Sequence, residues 1–137
     1  MAASLTGALK ALIEPAGLGL SVWRDDLATG QPTGPRYVTV AEGISTTTER
    51  LSGDHDGDPV TELVQLDLWQ PWRAKTDGDP AEDYALPRSL RTLLHGARLT
   101  AAPMIVRSCT VDDVVRLVER EANTVHHAFT LRLRREA

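Results

Sequence analysis

The chain of 137 residues holds a single cysteine, Cys109, so it can close no internal disulfide and cannot furnish a four-cysteine zinc site. Such sparing use suits a reducing compartment. Its formal net charge is −4, and without a basic excess the composition disfavours sequence-independent binding to a polyphosphate backbone. No run approaches the roughly 18 to 20 apolar residues that span a bilayer. The opening MAASLTGALKALIEPAG carries its one lysine inside the apolar stretch and is broken at Pro15, so it lacks the successive regions of a secretory signal. The expectation is a chain that starts soluble, in a cytoplasm. Also missing are a glycine-rich phosphate loop, a nucleophile elbow and a zinc-binding helix motif. With no nucleophile, base and orienting partner to assemble from local motifs, the sequence reads as something other than an enzyme, with no catalytic residue, cofactor or metal expected.

What is present is ordinary for a globular protein. An apolar fraction of 42% and a charged fraction of 25% suit one domain over residues 1–137, large enough for a real core and too short to divide comfortably. Leu5, Ala8, Leu9, Leu12 and Ile13 follow the spacing of one helix face, with Ser4 as N-cap and Pro15 as stop, Pro15 also disfavouring helical geometry at Glu14. Leu18, Leu20 and Val22 alternate with Gly19, Ser21 and Trp23 as a strand would. A turn-rich stretch from Asp25 to Pro35 precedes a second strand over Arg36 to Ala41. Residues 42–59 form a long loop or a protruding hairpin, and Val60 to Trp69 is the clearest strand of all. Asp79, Pro80 and Glu82 have the spacing of a helix start, with Pro87 interrupting and the main helix after it carrying Leu90, Leu93 and Leu94 to a stop at Gly96. Met104 to Val106 is a short strand-like run. Residues 112–122 support either a helix or a strand, the β-branched Val114, Val115 and Val118 favouring a hairpin that turns near Asn123. Phe129, Leu131 and Leu133 alternate as a half-buried strand. The resulting fold is α+β: an antiparallel or mixed sheet of about four to five strands, two main helices on one face, in the order α-β-β-β-α-β-β.

Several residue groups invite a chemical reading. Asp54-His55-Asp56-Gly57-Asp58 resembles the opening of a calcium loop, but Pro59 and Gln65 stand where the required glycine and glutamate belong, so a solvated acidic turn is the better reading. Asp77-Gly78-Asp79 reads as a turn leading into a helix cap. His126 and His127 are adjacent, and on a strand they point to opposite faces, so they cannot grip one ion together. His95 suits a helix C-terminus, and Cys109 a small core position. Trp69 and Trp72 are either covered by the following helix or, with Arg73, anchors of a protein interface. Arg132, Arg134 and Arg135 either face water or pair with charges on an adjacent subunit.

The helix ending in proline, the strand, the proline-rich turn, RYVTVAEG, an insertion, then ELVQLDLWQ and a helix with LRTLLHG together resemble the tail terminator (tail completion) proteins of long-tailed phages and prophages. The resemblance runs from Leu5 to about Arg134 and rests on this order and on the strand Gln65-Leu66-Asp67-Leu68-Trp69; residues 42–59 are its least comparable part. It implies a ring, usually of six copies, that caps the head-proximal end of the tail tube, stops tube growth and docks to the head connector. The implied partners are copies of the chain itself, the tail tube protein and the head-tail connector or head-closure protein, in the neck of a virion assembled in the host cytoplasm, with no membrane. DNA would pass through the ring without specific binding. On that reading Trp69, Trp72, Arg73, Arg132, Arg134 and Arg135 are candidate interface residues, and the acidic turns with Asp54, Asp56, Asp58, Asp77 and Asp79 are candidates for lining the lumen. Competing readings are a head-closure or neck connector protein of the same virion, and a host domain that binds a small molecule or peptide.

Overall fold

The computed structural model describes residues 4–25, 32, 34–48, 59–101 and 104–136. Helix α1 spans Leu5–Ile13; the Ser4 hydroxyl accepts the Gly7 amide at 2.9 Å, and Leu5, Ala8, Leu9 and Ile13 are buried. Pro15 ends the α-helix, but Glu14 keeps helical angles (φ −59, ψ −42), contrary to the expected effect of the proline. Its amide still donates to the Lys10 carbonyl, and a 3-10 turn over Glu14–Ala16 carries the chain to Gly17 at φ 80. The Glu14 carboxylate then accepts the amide of Val22 at 3.0 Å, tying the end of the helix to the first strand.

That strand, β1 (Ser21–Arg24), is followed by β2 (Tyr37–Thr48), β3 (Pro59–Pro71), α2 (Leu86–Leu94), a two-residue β4 (Thr100–Ala101), β5 (Met104–Glu119) and β6 (Thr124–Glu136). The sheet order is β1-β2-β3-β6-β5-β4; β1 runs parallel to β2 and the other pairs are antiparallel. Apart from the short β4, this is the expected mixed five-strand sheet in the expected order of helices and strands. Of segment 42–59, the described residues Glu42 to Thr48 continue β2, and Ser45 to Thr48 pair with Leu63 to Val60 after an irregularity beyond Ala41; residues 49–58 of the expected loop or hairpin lie outside the described residues. Asp54, Asp56 and Asp58 lie outside the described residues.

Alternation divides the sheet into two unlike faces. Val38, Val40, Val64, Leu66, Leu68, Phe129, Leu131 and Leu133 turn toward α1 and α2 and form one core with Leu9, Ile13, Leu90 and Leu94. Each fully buried side chain of this kind contributes roughly 1.5–3 kcal/mol.

The last third resolves as two long strands, and no helix forms over 112–122. They turn through 120–123 with Asn123 at φ 52, a left-handed position that asparagine tolerates. The run at Met104 is the start of one strand that continues to Glu119, with irregularities between Val106 and Ser108 and between Val111 and Asp113.

The expected helix start at Asp79 is not used. The Asp79 carboxylate accepts the amide and hydroxyl of Thr76 at 2.9 and 2.8 Å, closing a turn instead of capping a helix. Helix α2 begins at Leu86 with Pro87 in its first turn, where a missing amide hydrogen costs nothing, and Gly96 at φ 79 lies just beyond its end.

Candidate assembly surface

The face of the sheet turned away from both helices is built by the alternate residues of the same strands. The register aligns Tyr37, Trp69, His126 and Leu117 across four strands, and Thr39, Asp67, Ala128 and Val115 in the next row. Trp69 stacks on Tyr37 (centroids 6.2 Å apart, planes at 16°), lies against the His126 ring at 4.3 Å, and donates its indole N–H to the Thr39 hydroxyl at 2.9 Å. It is therefore fixed from both sides within the sheet, and the helix that follows in sequence packs on the opposite face. Val115 and Leu117 remain 44% and 45% exposed, so the row ends in bare aliphatic surface at the β5 side. Burial raises the Asp67 carboxyl and the Tyr37 phenol above their ordinary values, with Gln65 and His126 opposing the shift at Asp67 and Glu119 adding to it at Tyr37.

The outer side of β5 is the second feature. Among the described residues no strand pairs with it beyond Ile105. Its middle is covered by the end of α2, where the Gly96 amide donates to the Cys109 carbonyl at 2.8 Å and the Val111 amide donates to His95 Nδ1 at 3.1 Å. His95 thus satisfies a strand amide, a use that its place after a helix does not announce. Asp113 accepts the Val114 amide at 2.9 Å. The part of this edge that the end of α2 leaves uncovered is open to pairing with another chain.

The remaining candidates fall in separate places. Trp72 follows the end of β3, its amide bonded to the Asn123 carbonyl at 2.9 Å, with the Arg73 guanidinium 4.1 Å over its ring and that of Arg120 at 5.8 Å. Arg132 and Arg134 alternate onto the helix-free face, while Arg135 turns to the other. Within the chain Arg132 pairs with Asp112 at 2.8 Å and Arg135 with Glu62 at 3.3 Å, so the three do not form one cluster. Asp77 and Asp79 lie in an exposed turn far along the chain from these arginines.

Sequence reasoning missed the buried polar buckle behind this turn. The Glu82 side chain is 1% exposed and takes two hydrogen bonds from Arg116, at 2.6 and 3.0 Å, with His127 Nε2 at 3.9 Å. Buried Gln70 accepts the Asp83 amide at 2.9 Å and donates back to the Asp83 carbonyl at 3.2 Å, while Arg36 donates to Gln70 and to the Ala81 carbonyl. Burial lowers the His127 imidazole below its usual value; Glu82 opposes this, and Arg116 and His126 reinforce it. His126 and His127 do lie on opposite faces. Cys109 is buried in the core with its thiol pushed up to about 11 by desolvation.

A recess of about 410 Å³ lies between the end of α1 and β1, lined by residues that include Glu14, Leu20, Ser21 and Arg36. Its two charged groups are already engaged, Glu14 by Val22 and Lys10, Arg36 by Gln70 and Ala81. Among the described residues no group of three or more His, Cys, Asp and Glu side chains is placed to hold a metal ion, and no helix is long and apolar enough to cross a membrane.

No family model matches the sequence, and no curated protein matches it. In fold, the chain is similar to one from the virion of a native gene transfer agent particle, which is 16% identical, covers 98% of each chain and superposes with a TM-score of 0.66.

Proposed function

We propose that this chain is a structural virion protein of the tail terminator kind: a ring, six copies in the expected form, that caps the head-proximal end of a tail tube, stops its growth and presents a docking surface to the head connector. The observation that carries the reading is the fold shared over 98% of both chains with a protein from the virion of a gene transfer agent particle. The helix-free sheet face and the unpaired outer side of β5 support it, because a head-to-tail ring needs two different patches that meet on successive copies. The role is structural, and no catalytic step is assigned to any residue. The neck of a virion is the location that follows.

The test is polymerisation of tail tube protein with and without the purified chain, with tube lengths measured by electron microscopy. Capping shortens the tubes in proportion to the chain added and places it at one end only. Unchanged tubes together with binding to purified connector rings would favour the head-closure reading. Unchanged tubes with neither interaction would end both.

A further inference from the structure

The outward side of α2 carries Arg88 and Arg91 one turn apart, and Arg98 follows just past Gly96. All three are exposed, and none of their side chains forms a hydrogen bond or ion pair with another described residue. Opposite charge is gathered immediately before the helix. Residues 42–83 hold eleven acidic and three basic side chains, whereas 84–137 hold nine basic and five acidic. The described end of the acidic stretch presents Asp77, Asp79 and Asp83, all exposed, beside Tyr84, which is 76% exposed.

This acidic turn is held in place. Gln70 grips Asp83 through both main-chain groups, Arg116 grips Glu82 with two hydrogen bonds, and Asp79 accepts the amide and hydroxyl of Thr76. A surface already ordered gives up little freedom on binding, and a tyrosine at its margin is a frequent interface anchor. Acid stands at the start of α2 and arginine along and beyond it, and among the described residues no ion pair joins the two patches within one copy. They complement each other when copies follow head to tail, the relation that closes a ring.

We infer that the arginine side of α2 in one copy docks on the Asp77–Asp83 turn of the next. The inference rests on the ring reading only in making the two copies neighbours, and it gives Asp77 and Asp79 a protein partner in place of the lumen. A polyphosphate is the poorer occupant, because it would also meet the acidic turn beside the arginines.

The experiment uses the full-length chain, with self-association measured by sedimentation equilibrium at low and high salt. Arg88→Glu/Arg91→Glu and Asp77→Arg/Asp83→Arg are each expected to weaken association about tenfold or more, and an equimolar mixture of the two is expected to recover it, since reversed charges then face reversed charges. Salt weakens the wild-type association and leaves the mixture's recovery visible at low salt. As a check independent of folding losses, Arg91→Cys and Asp77→Cys chains in a Cys109→Ala background should form a mixed disulfide on oxidation that neither forms with wild type. A wild-type chain that stays monomeric at every concentration overturns the contact, as does association indifferent to both reversals, a mixture that does not recover, or arginines that bind duplex DNA without promoting association. Association through some other surface removes this contact while the tube-length assay still decides the ring.

Discussion

Replacing Gln70 by leucine tests whether the connection between β3 and α2 is held by one buried amide. Gln70 is 1% exposed and makes three hydrogen bonds, two to the main chain of Asp83 and one to Arg36. Neutral hydrogen bonds contribute roughly 1 kcal/mol each and one to a charged group somewhat more, so the loss amounts to about 3 kcal/mol. Leucine fills a similar volume and regains about 1 kcal/mol of that through apolar burial, leaving a net destabilisation of about 2 kcal/mol. For a domain of this size each kcal/mol moves the melting temperature by roughly 3–5 °C, which gives a fall of about 6–10 °C. The assay is urea and thermal unfolding followed by circular dichroism, with hydrogen exchange at the Asp83 amide. Exchange there should accelerate more than at Val64 or Phe129, because the turn loosens before the sheet does. A Gln70→Leu chain within 0.5 kcal/mol of wild type, with Asp83 still protected, would refute the argument that this amide holds the turn.

Two further outcomes follow from the buried ionisable groups. Burial keeps the folded-state value of His127 below its ordinary 6.5, so between the two values the unfolded chain binds more protons than the folded one. The contribution to stability is full above about 6.5 and is lost as the pH falls through the folded value; His127→Gln should flatten this part of a urea-midpoint titration between pH 7.5 and 5, and an unchanged slope would assign the acid sensitivity elsewhere. Cys109, buried and with its thiol at about 11, should resist a thiol reagent at pH 8 in the folded chain and react promptly in urea. Rapid labelling without denaturant would show that the core under α2 opens readily.

The elements that local pattern governs were legible. Val64, Leu66 and Leu68 alternate without interruption, and Ser4 caps a helix whose apolar spacing is regular, so local pattern alone locates both. The stretch leading to Asn123 was ambiguous for a physical reason. Cys109 and Val111 face the core, the irregularity at Val111 to Asp113 inserts a residue, and Val114 then faces the same side. The shift leaves apolar residues at 111, 114, 115 and 118, a helical spacing produced by a strand that changes step. Asp79 and Glu82 misled in another way. Their spacing fits a helix start, but the partner that occupies Glu82 is Arg116, remote in sequence, and no local rule anticipates it. For the candidate surface, alternation alone puts Trp69 on the outward side of its strand. The arginines of α2 give no such sign, because their spacing marks only the wet side of a helix until the fold shows which charges have partners among the described residues.

One tie near the start of the chain bears on the order in which the molecule takes shape. The first turn of α1 is completed by Glu42, whose carboxylate receives the amides of Leu5 and Thr6 at 3.1 and 3.2 Å as well as the Thr6 hydroxyl. A ribosome delivers Leu5 well before Glu42, so the nascent helix waits with bare amides and an uncovered apolar stripe until the second strand emerges. Helix and sheet would then mature together, and a chain stalled short of Glu42 should show a frayed, protease-sensitive beginning in place of a finished helix.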